Sequence, residues 1–194
     1  MTVAAVVLAA GASRRLGRPK QTLALGRGTV LGTTVQVARR SRPDQVVVVL
    51  GGAADDVREH VDLTGVEVVE NDEFGEGCST SVRAGLGALP EGTAGIVLML
   101  GDQPRVRPET VDRLLDEAGH HAVGVCEYDD GLGHPLWFDR SMFPALEAMH
   151  GDKAVWKLVD AGPEGDVVRV RIDGPVPRDV DTWADYEAML AEES

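Results

Sequence analysis

The 194-residue chain carries only two cysteines, Cys78 and Cys126, too few for the disulfide framework that staples small secreted domains. No apolar run reaches the roughly 18 residues that a membrane-spanning helix needs. The short apolar stretch near the N-terminus has no basic leader before it, as a secretory signal would. A cytoplasmic protein with no membrane partner is expected. A net charge of −13 leaves no room for an extended basic face, which excludes nucleic acid as a partner. Internal repeats, low-complexity tracts and linkers are also lacking, so residues 1–194 read as a single domain.

Three nucleotide and metal signatures are missing as well. A Walker A loop has four residues between its glycines and then Lys-Ser/Thr. Here five residues separate Gly11 from Gly17, Lys20 comes three later, and Gln21 follows it. The first strand-like run is not followed by G-x-G-x-x-G, which argues against a dinucleotide-dependent oxidoreductase. His120, His121, His134 and His150 have no partners at zinc-ligand spacing.

One further absence is local. Residues 1–43 contain no Asp or Glu, but they include Arg14, Arg15, Arg18, Lys20, Arg27, Arg39, Arg40 and Arg42. That segment carries +8 and the other 151 residues carry −21. Such segregation favours an anionic ligand near the N-terminal segment. Arg39, Arg40 and Arg42 have a plainer reading, as cations closing a helix at its negative dipole end.

What is present begins with a strand-like run, Val3–Leu8, ending in Ala9-Ala10-Gly11 and a loop through Ser13, Arg14, Arg15, Gly17, Arg18 and Lys20. Small residues at a strand end let backbone N–H groups approach a ligand, and the adjacent cations supply charge for phosphate oxygens. Further apolar, β-branched runs at Val3–Leu8, Gln45–Leu50, Val66–Val69 and Ile96–Leu100 read as strands buried on both faces of a parallel sheet. Between them lie helical spacings at Leu31, Thr34, Val35 and Ala38, at Val82, Leu86 and Leu89 behind Ser79 as N-cap, and at Val111, Leu114, Leu115 and Ala118 behind Pro108. A last helix opens with a capping-box-like Thr182–Asp185 and turns Trp183, Tyr186, Met189 and Leu190 inward. Residues 119–179 are less regular, with a strand at Ala122–Cys126, a Gly-rich turn at Asp130–Gly133, and helices near Arg140–Met149 and Lys153–Asp160. The alternation implies a three-layer, Rossmann-like α/β fold with a mostly parallel central sheet, whose ligands bind at the carboxyl ends of the strands.

Those ends hold the candidate chemistry. Asp102 follows the fourth run and faces the same crevice as the N-terminal loop, where a Mg²⁺ bridging nucleotide phosphates would sit. Asp179 and Asp181 alternate along an extended segment before the last helix, and either could complete the metal site or merely cap the helix. The segment from Asn71 to Ser81 is rich in small residues and free helix N–H groups, which suits a base or ribose. It also reads as a plain βα loop.

Taken in order, Leu8–Lys20, Asn71–Leu86, Gly101–Pro104, Gly133-His134-Pro135, Gly151-Asp152-Lys153 and Asp179–Thr182 resemble the MobA-like nucleotidyltransferases across nearly the whole chain, and more closely their molybdenum cofactor cytidylyltransferase branch. The resemblance implies transfer of a nucleotide monophosphate from an NTP to a phosphate of molybdopterin or a similar phosphorylated cofactor, with release of pyrophosphate and Mg²⁺ as cofactor. It implies backbone contacts to the nucleotide at Leu8, Ala9 and Ala10, phosphate binding by Lys20, Asn71 beside the base or ribose, and Mg²⁺ on Asp102. With the loop and strand-end readings above, Gly11 and Ser79 join the expected nucleotide contacts, Arg14, Lys20 and Asp102 are the expected catalytic residues, and Asp181 joins Asp102 as the expected metal ligand. His134, Asp152 and Lys153 would meet the acceptor. Ala10 resembles the CTP-using branch, the guanylyl branch having glycine there. A molybdoenzyme or its chaperone is the protein partner so implied. The family's Gly-Asp-Lys/Arg-Gly is broken here by Ala154. A nucleotide-binding protein without turnover, or a relative with a non-molybdenum acceptor or an oxidoreductase role, is the alternative.

Overall fold

A computed structural model describes residues 2–13, 15–151, 153–160 and 167–192. In chain order the elements are β1 (Thr2–Ala9), β2 (Ala24–Leu25), β3 (Gly28–Thr29), α1 (Val30–Arg40), β4 (Gln45–Leu50), α2 (Ala54–His60), β5 (Glu67–Glu70), α3 (Cys78–Gly87), β6 (Thr93–Leu100), α4 (Pro108–Ala118), β7 (Val123–Tyr128), β8 (Gly131–Asp139), α5 (Phe143–Ala148), α6 (Ala154–Asp160), β9 (Val167–Arg171) and α7 (Trp183–Ala191). A seven-stranded sheet runs β5-β4-β1-β6-β8-β7-β9. Every neighbouring pair is parallel except the two made by β8, so β8 alone opposes the other six strands.

The side-chain period of two sorts the central strands between two cores. On one face Ala5, Val7 and Ala9 of β1 pack with Val46, Val48 and Leu50 of β4, under α1, α2 and α4. On the other, Ala4, Val6 and Leu8 pack with Val47 and Val49, under α3, α5 and α6. The expected three-layer α/β architecture is therefore present. Its driving force is ordinary: each fully buried Val or Leu contributes on the order of 1.5–3 kcal/mol over exposure, and the inner positions of both strands are fully or nearly fully buried.

The helical spacings correspond to buried faces: Leu31, Thr34, Val35 and Ala38 of α1, Val82 and Leu86 of α3, and Val111, Leu114 and Ala118 of α4 are all buried. Pro108 stands at the start of α4, and Thr182 with Asp185 closes the capping box of α7. Arg39 and Arg40 lie in the last turn of α1, and Arg39 and Arg42 pair with Asp62 and Asp116 on the surface.

Five readings need correction. The segment Asp130–Gly133 is not a turn. The chain reverses at Asp129-Asp130, Gly131 opens β8 opposite Tyr128, and the glycines lie within the hairpin ladder. This region holds two strands, β8 and β9, beyond the one expected at Ala122–Cys126. Strand β5 is an edge, with Glu67 and Glu70 exposed, and not a strand buried on both faces. Ser79 is not the N-cap of α3; that position belongs to Gly77, at φ 111°, where a side chain would be strained. Finally, Trp183 and Leu190 of α7 stay 44% and 37% exposed, and only Met189 of the four is buried. They are exposed because α7 packs on a small separate core of Leu16, Leu23, Leu25, Val30 and Val180, too narrow to cover both sides of the helix.

Candidate functional site

The ends of three strands, β1, β4 and β6, meet the segment 179–181 at the carboxyl edge of the sheet. Pairing of β1 with β6 runs one residue past the strands through the Gly101 N–H, which donates to Leu8 O at 2.8 Å. That contact brings Asp102 level with Ala9 and Ala10. The Asp102 carbonyl then accepts the Val180 N–H at 3.1 Å, which draws the segment carrying Asp179 and Asp181 across the same edge. On the other flank Gly51, after β4, closes on Ala10. A Cβ at Gly51 would lie 2.5 Å from the Ala10 oxygen, so only glycine lets the two loops meet.

Lys20 is the centre of the site. Its ammonium donates to Asp102 Oδ2 and, at 2.7 Å, to Asp181 Oδ1. Burial by itself would depress the Lys20 pKa, but the Asp102 charge and the bonds to both carboxylates outweigh it and hold the ammonium above its ordinary value. Asp179 does not join them. Its Oδ1 accepts from Gln103 Nε2 at 2.7 Å, and the surrounding protein, with the Asp102 charge behind it, raises its carboxyl above the usual range. Arg15 stands at the mouth, 75% exposed and 3.9 Å from Asp181.

The loop carrying Lys20 is held from within. The Lys20 N–H donates to Ser13 Oγ at 2.9 Å, and Ser13 adopts a positive φ of 48°. Gln21, 3% exposed, donates to the carbonyls of Ala9 and Gly11 at 2.8 and 2.9 Å. Sequence reasoning missed Gln21 as part of the site; its one signal was an amide directly after Lys20.

Two cavities open on this loop. One, of about 250 Å³, is lined by Leu8, Ala9, Ala10 and Gly11, by Lys20, Gln21 and Asp102, and by Phe74, Gly77, Cys78 and Ser81. The second, of about 330 Å³, is lined by Gly11, Ala12, Ser13, Arg15, Lys20 and Asp181. An elongated ligand could occupy both, with its anionic part beside Lys20. A larger hollow of about 560 Å³ near α4 and α7 mixes arginines with Asp130, Asp173, Asp185 and Glu192, and offers no field of one sign.

The structure thus brings Leu8, Ala9, Ala10, Gly11, Lys20, Asp102 and Asp181 together. Asn71 is near, but its side chain is engaged by its neighbours. Its amide donates to Thr80 Oγ1 and Ser81 Oγ at 2.8 and 2.9 Å, and its oxygen accepts the Glu73 N–H at 3.0 Å. Asn71 therefore shapes the loop wall, and the second lone pair of its amide oxygen is its remaining hydrogen-bonding capacity. Ser79 is buried and accepts the Gly151 N–H at 3.0 Å, which ties the loop before α6 to the first turn of α3. Lys153 is exposed beside that loop. Ala154 is buried in the core beneath α3 and α6, so its methyl is used in packing.

His134 is not in a loop. It is buried in β8, two residues beyond the Leu136–Leu98 pair, with its ring edge-on to Trp156 at 5.3 Å. Burial pushes its pKa down to about 4, which keeps the imidazole neutral at neutral pH. Arg14 and Asp152, also expected at the site, lie outside the described residues.

Asp102 and Asp181 suit a divalent metal: their hard oxygens already converge on one cation, the Lys20 ammonium. Among the described residues no group of three or more His, Cys, Asp or Glu is arranged to hold a metal ion. Such an ion would complete its shell with ligand phosphate oxygens and water, as Mg²⁺ commonly does.

The family model described as MobA-like NTP transferase domain matches residues 5–167. The purine catabolism protein PucB of Bacillus subtilis is 28% identical over 203 residues, covering 95% of this chain and 94% of PucB. The bifunctional protein GlmU of Pseudomonas fluorescens is 34% identical over 140 residues, covering 69% of this chain and 30% of GlmU. The chain thus corresponds to about a third of the length of the GlmU relatives it matches. Among solved structures, Rv0371c of Mycobacterium tuberculosis superposes with a TM-score of 0.92 at 48% identity, covering 98% of both chains. A structure of Rv0371c in complex with manganese superposes at 0.87 and 45% identity, covering 98% of this chain and 99% of that one.

Proposed function

Because the chain belongs to the MobA-like NTP transferase domain family and is a nucleotidyltransferase, we propose that it transfers a nucleoside monophosphate, CMP from CTP being favoured, to a phosphate of a molybdopterin-type acceptor. The observation that carries this reading is the convergence of Lys20, Asp102 and Asp181 beside a cradle of small residues. Ala10 is the basis for CTP.

An acceptor phosphate oxygen attacks the α-phosphorus in line, the bond to the β-phosphate oxygen breaks, and pyrophosphate leaves with that electron pair. The attacking phosphate is already anionic at neutral pH, so no strong base is required. Catalysis then rests on positioning and charge neutralisation. Lys20 passes its ammonium from the carboxylates to the triphosphate, with Arg14 adding charge from the same loop. Asp102 and Asp181 would hold Mg²⁺, which when bound supplies charge neutralisation at the triphosphate. The walls formed by Leu8, Ala9, Phe74 and Cys78 orient the nucleoside. Lys153 would meet the acceptor phosphate and Asp152 and His134 other parts of the acceptor, His134 being set edge-on against Trp156. A molybdoenzyme or its chaperone would take up the product.

A thermal-shift panel of CTP, GTP, ATP and UTP with Mg²⁺ tests the nucleotide half. A ligand at a hundred times its Kd adds about 2.7 kcal/mol, enough to rank the bases. Pyrophosphate release on adding molybdopterin tests the acceptor half. Stabilisation by no triphosphate would end the proposal. Binding without pyrophosphate release would leave a nucleotide holder in its place.

A further inference from the structure

We infer that Gln21 is a positioning residue that sets the polarity of the phosphate loop, drawing its carbonyls inward and leaving its amides for the ligand. The side chain is 3% exposed, sits in the turn Lys20–Thr22 and borders the first cavity beneath the loop backbone. Its one amide nitrogen binds the carbonyls on either side of Ala10, those of Ala9 and Gly11. In a planar trans peptide the carbonyl of one residue and the N–H of the next point in opposite directions. Fixing the Ala9 carbonyl therefore aims the Ala10 N–H away from Gln21, and fixing the Gly11 carbonyl does the same for the Ala12 N–H. Among the described residues, no backbone or side-chain acceptor takes the N–H of Ala10, Gly11 or Ala12.

These donors lie where the two cavities meet. Ala10 and Gly11 line the first, and Gly11 and Ala12 line the second. A loop with its carbonyls turned the other way would present partial negative charge to an anion and repel it. Lys20 supplies charge to this site, whereas Gln21 supplies orientation. Ser13 adds a brace, its hydroxyl oxygen accepting the Lys20 N–H at 2.9 Å.

The inference rests on the reading of this loop as the triphosphate site, so the test uses a probe with no base or ribose. Inorganic tripolyphosphate is titrated calorimetrically into the whole chain and into Gln21→Met, which keeps the bulk of the side chain and removes its donor. Binding to the wild type and about tenfold weaker binding to the variant are expected. The alkylation rate of Cys78, which lines the same cavity, should keep its wild-type value. Equal tripolyphosphate affinity would overturn the inference, as would a changed Cys78 rate, which would mean general damage to the cavity. A wild type that binds neither tripolyphosphate nor any NTP would overturn the triphosphate reading as well. If Gln21→Met does not fold, the amide resonances of Ala10 and Ala12 are followed in the wild type during the same titration. Both should shift with saturation, and unmoved amides would refute the role given to Gln21.

Discussion

The ammonium of Lys20 donates to the Asp181 carboxylate at 2.7 Å across 161 residues of sequence, while holding Asp102 on its other side. One cation thus occupies the point where two carboxylates from different loops converge. A divalent metal at the same carboxylates must displace it.

Lys20→Met should therefore bind Mn²⁺ about tenfold more tightly than the wild type when no nucleotide is present, since the competing charge is gone. Paramagnetic resonance of free Mn²⁺ measures this directly. The same variant should bind triphosphate less well. An unchanged Mn²⁺ affinity would show that the ammonium and the metal do not compete.

The two alternate carboxylates of the C-terminal segment should behave differently. Asp181 touches Lys20, whereas Asp179 is bound to Gln103. Asp102→Asn and Asp181→Asn are expected to lower turnover at least about a hundredfold, the scale of losing a charge-organising group of roughly 3 kcal/mol, with folding intact by circular dichroism. Asp179→Asn should cost far less. Pyrophosphate release under saturating substrates separates them, and equal losses at positions 179 and 181 would contradict the assignment.

His134 should make the fold acid-sensitive. Its pKa falls from 6.5 in the unfolded chain to about 4 in the folded one. Between those values the unfolded state binds the extra proton, so stability is full above about pH 6.5 and declines as pH falls toward 4. The whole decline amounts to about 3 kcal/mol. Unfolding midpoints of the wild type and His134→Gln, followed from pH 7 to 4.5, should converge as the wild type loses this contribution. Parallel pH profiles would rule it out.

Thiol reactivity should mark the nucleotide cavity. Burial pushes the Cys126 pKa up to about 12, so it stays protonated and inert at neutral pH, whereas half-buried Cys78 lines the cavity. One alkylated site, Cys78, is expected by peptide mass spectrometry, with Mg²⁺ and CTP together slowing the reaction. Protection of Cys126 and not Cys78 would place the nucleotide elsewhere.

Much of the fold was legible because its central strands hold unbroken apolar runs, rich in valine, that need no context. Strand β8 was not, because Gly131, Gly133, His134 and Pro135 carry turn chemistry, and only pairing with β6 and β7 overrides it. In the site, Lys20 and Asp102 could be read from charge at strand ends. That Gln103 holds Asp179 while Asp181 reaches Lys20 could not be read from their alternate spacing. The occupied amide of Asn71 and the inward turn of Gln21 depend on partners close in space whose approach no local pattern announces. Polar side chains that organise a loop look the same in sequence as those that meet a ligand.

The small core of Leu16, Leu23, Leu25, Val30, Val180 and Met189 joins the beginning of the chain to its end. Tyr186 strengthens the joint, its hydroxyl donating to the Ala24 carbonyl at 2.6 Å. This clasp lies outside the two layers that stabilise the sheet, yet it shelters the loop of Lys20 and the segment of Asp181. Shortening the chain at α7 would leave the sheet standing while unlatching both halves of the charge cluster. A C-terminal truncation or a bulky fusion placed there would thus act as an affinity mutation and leave the scaffold folded.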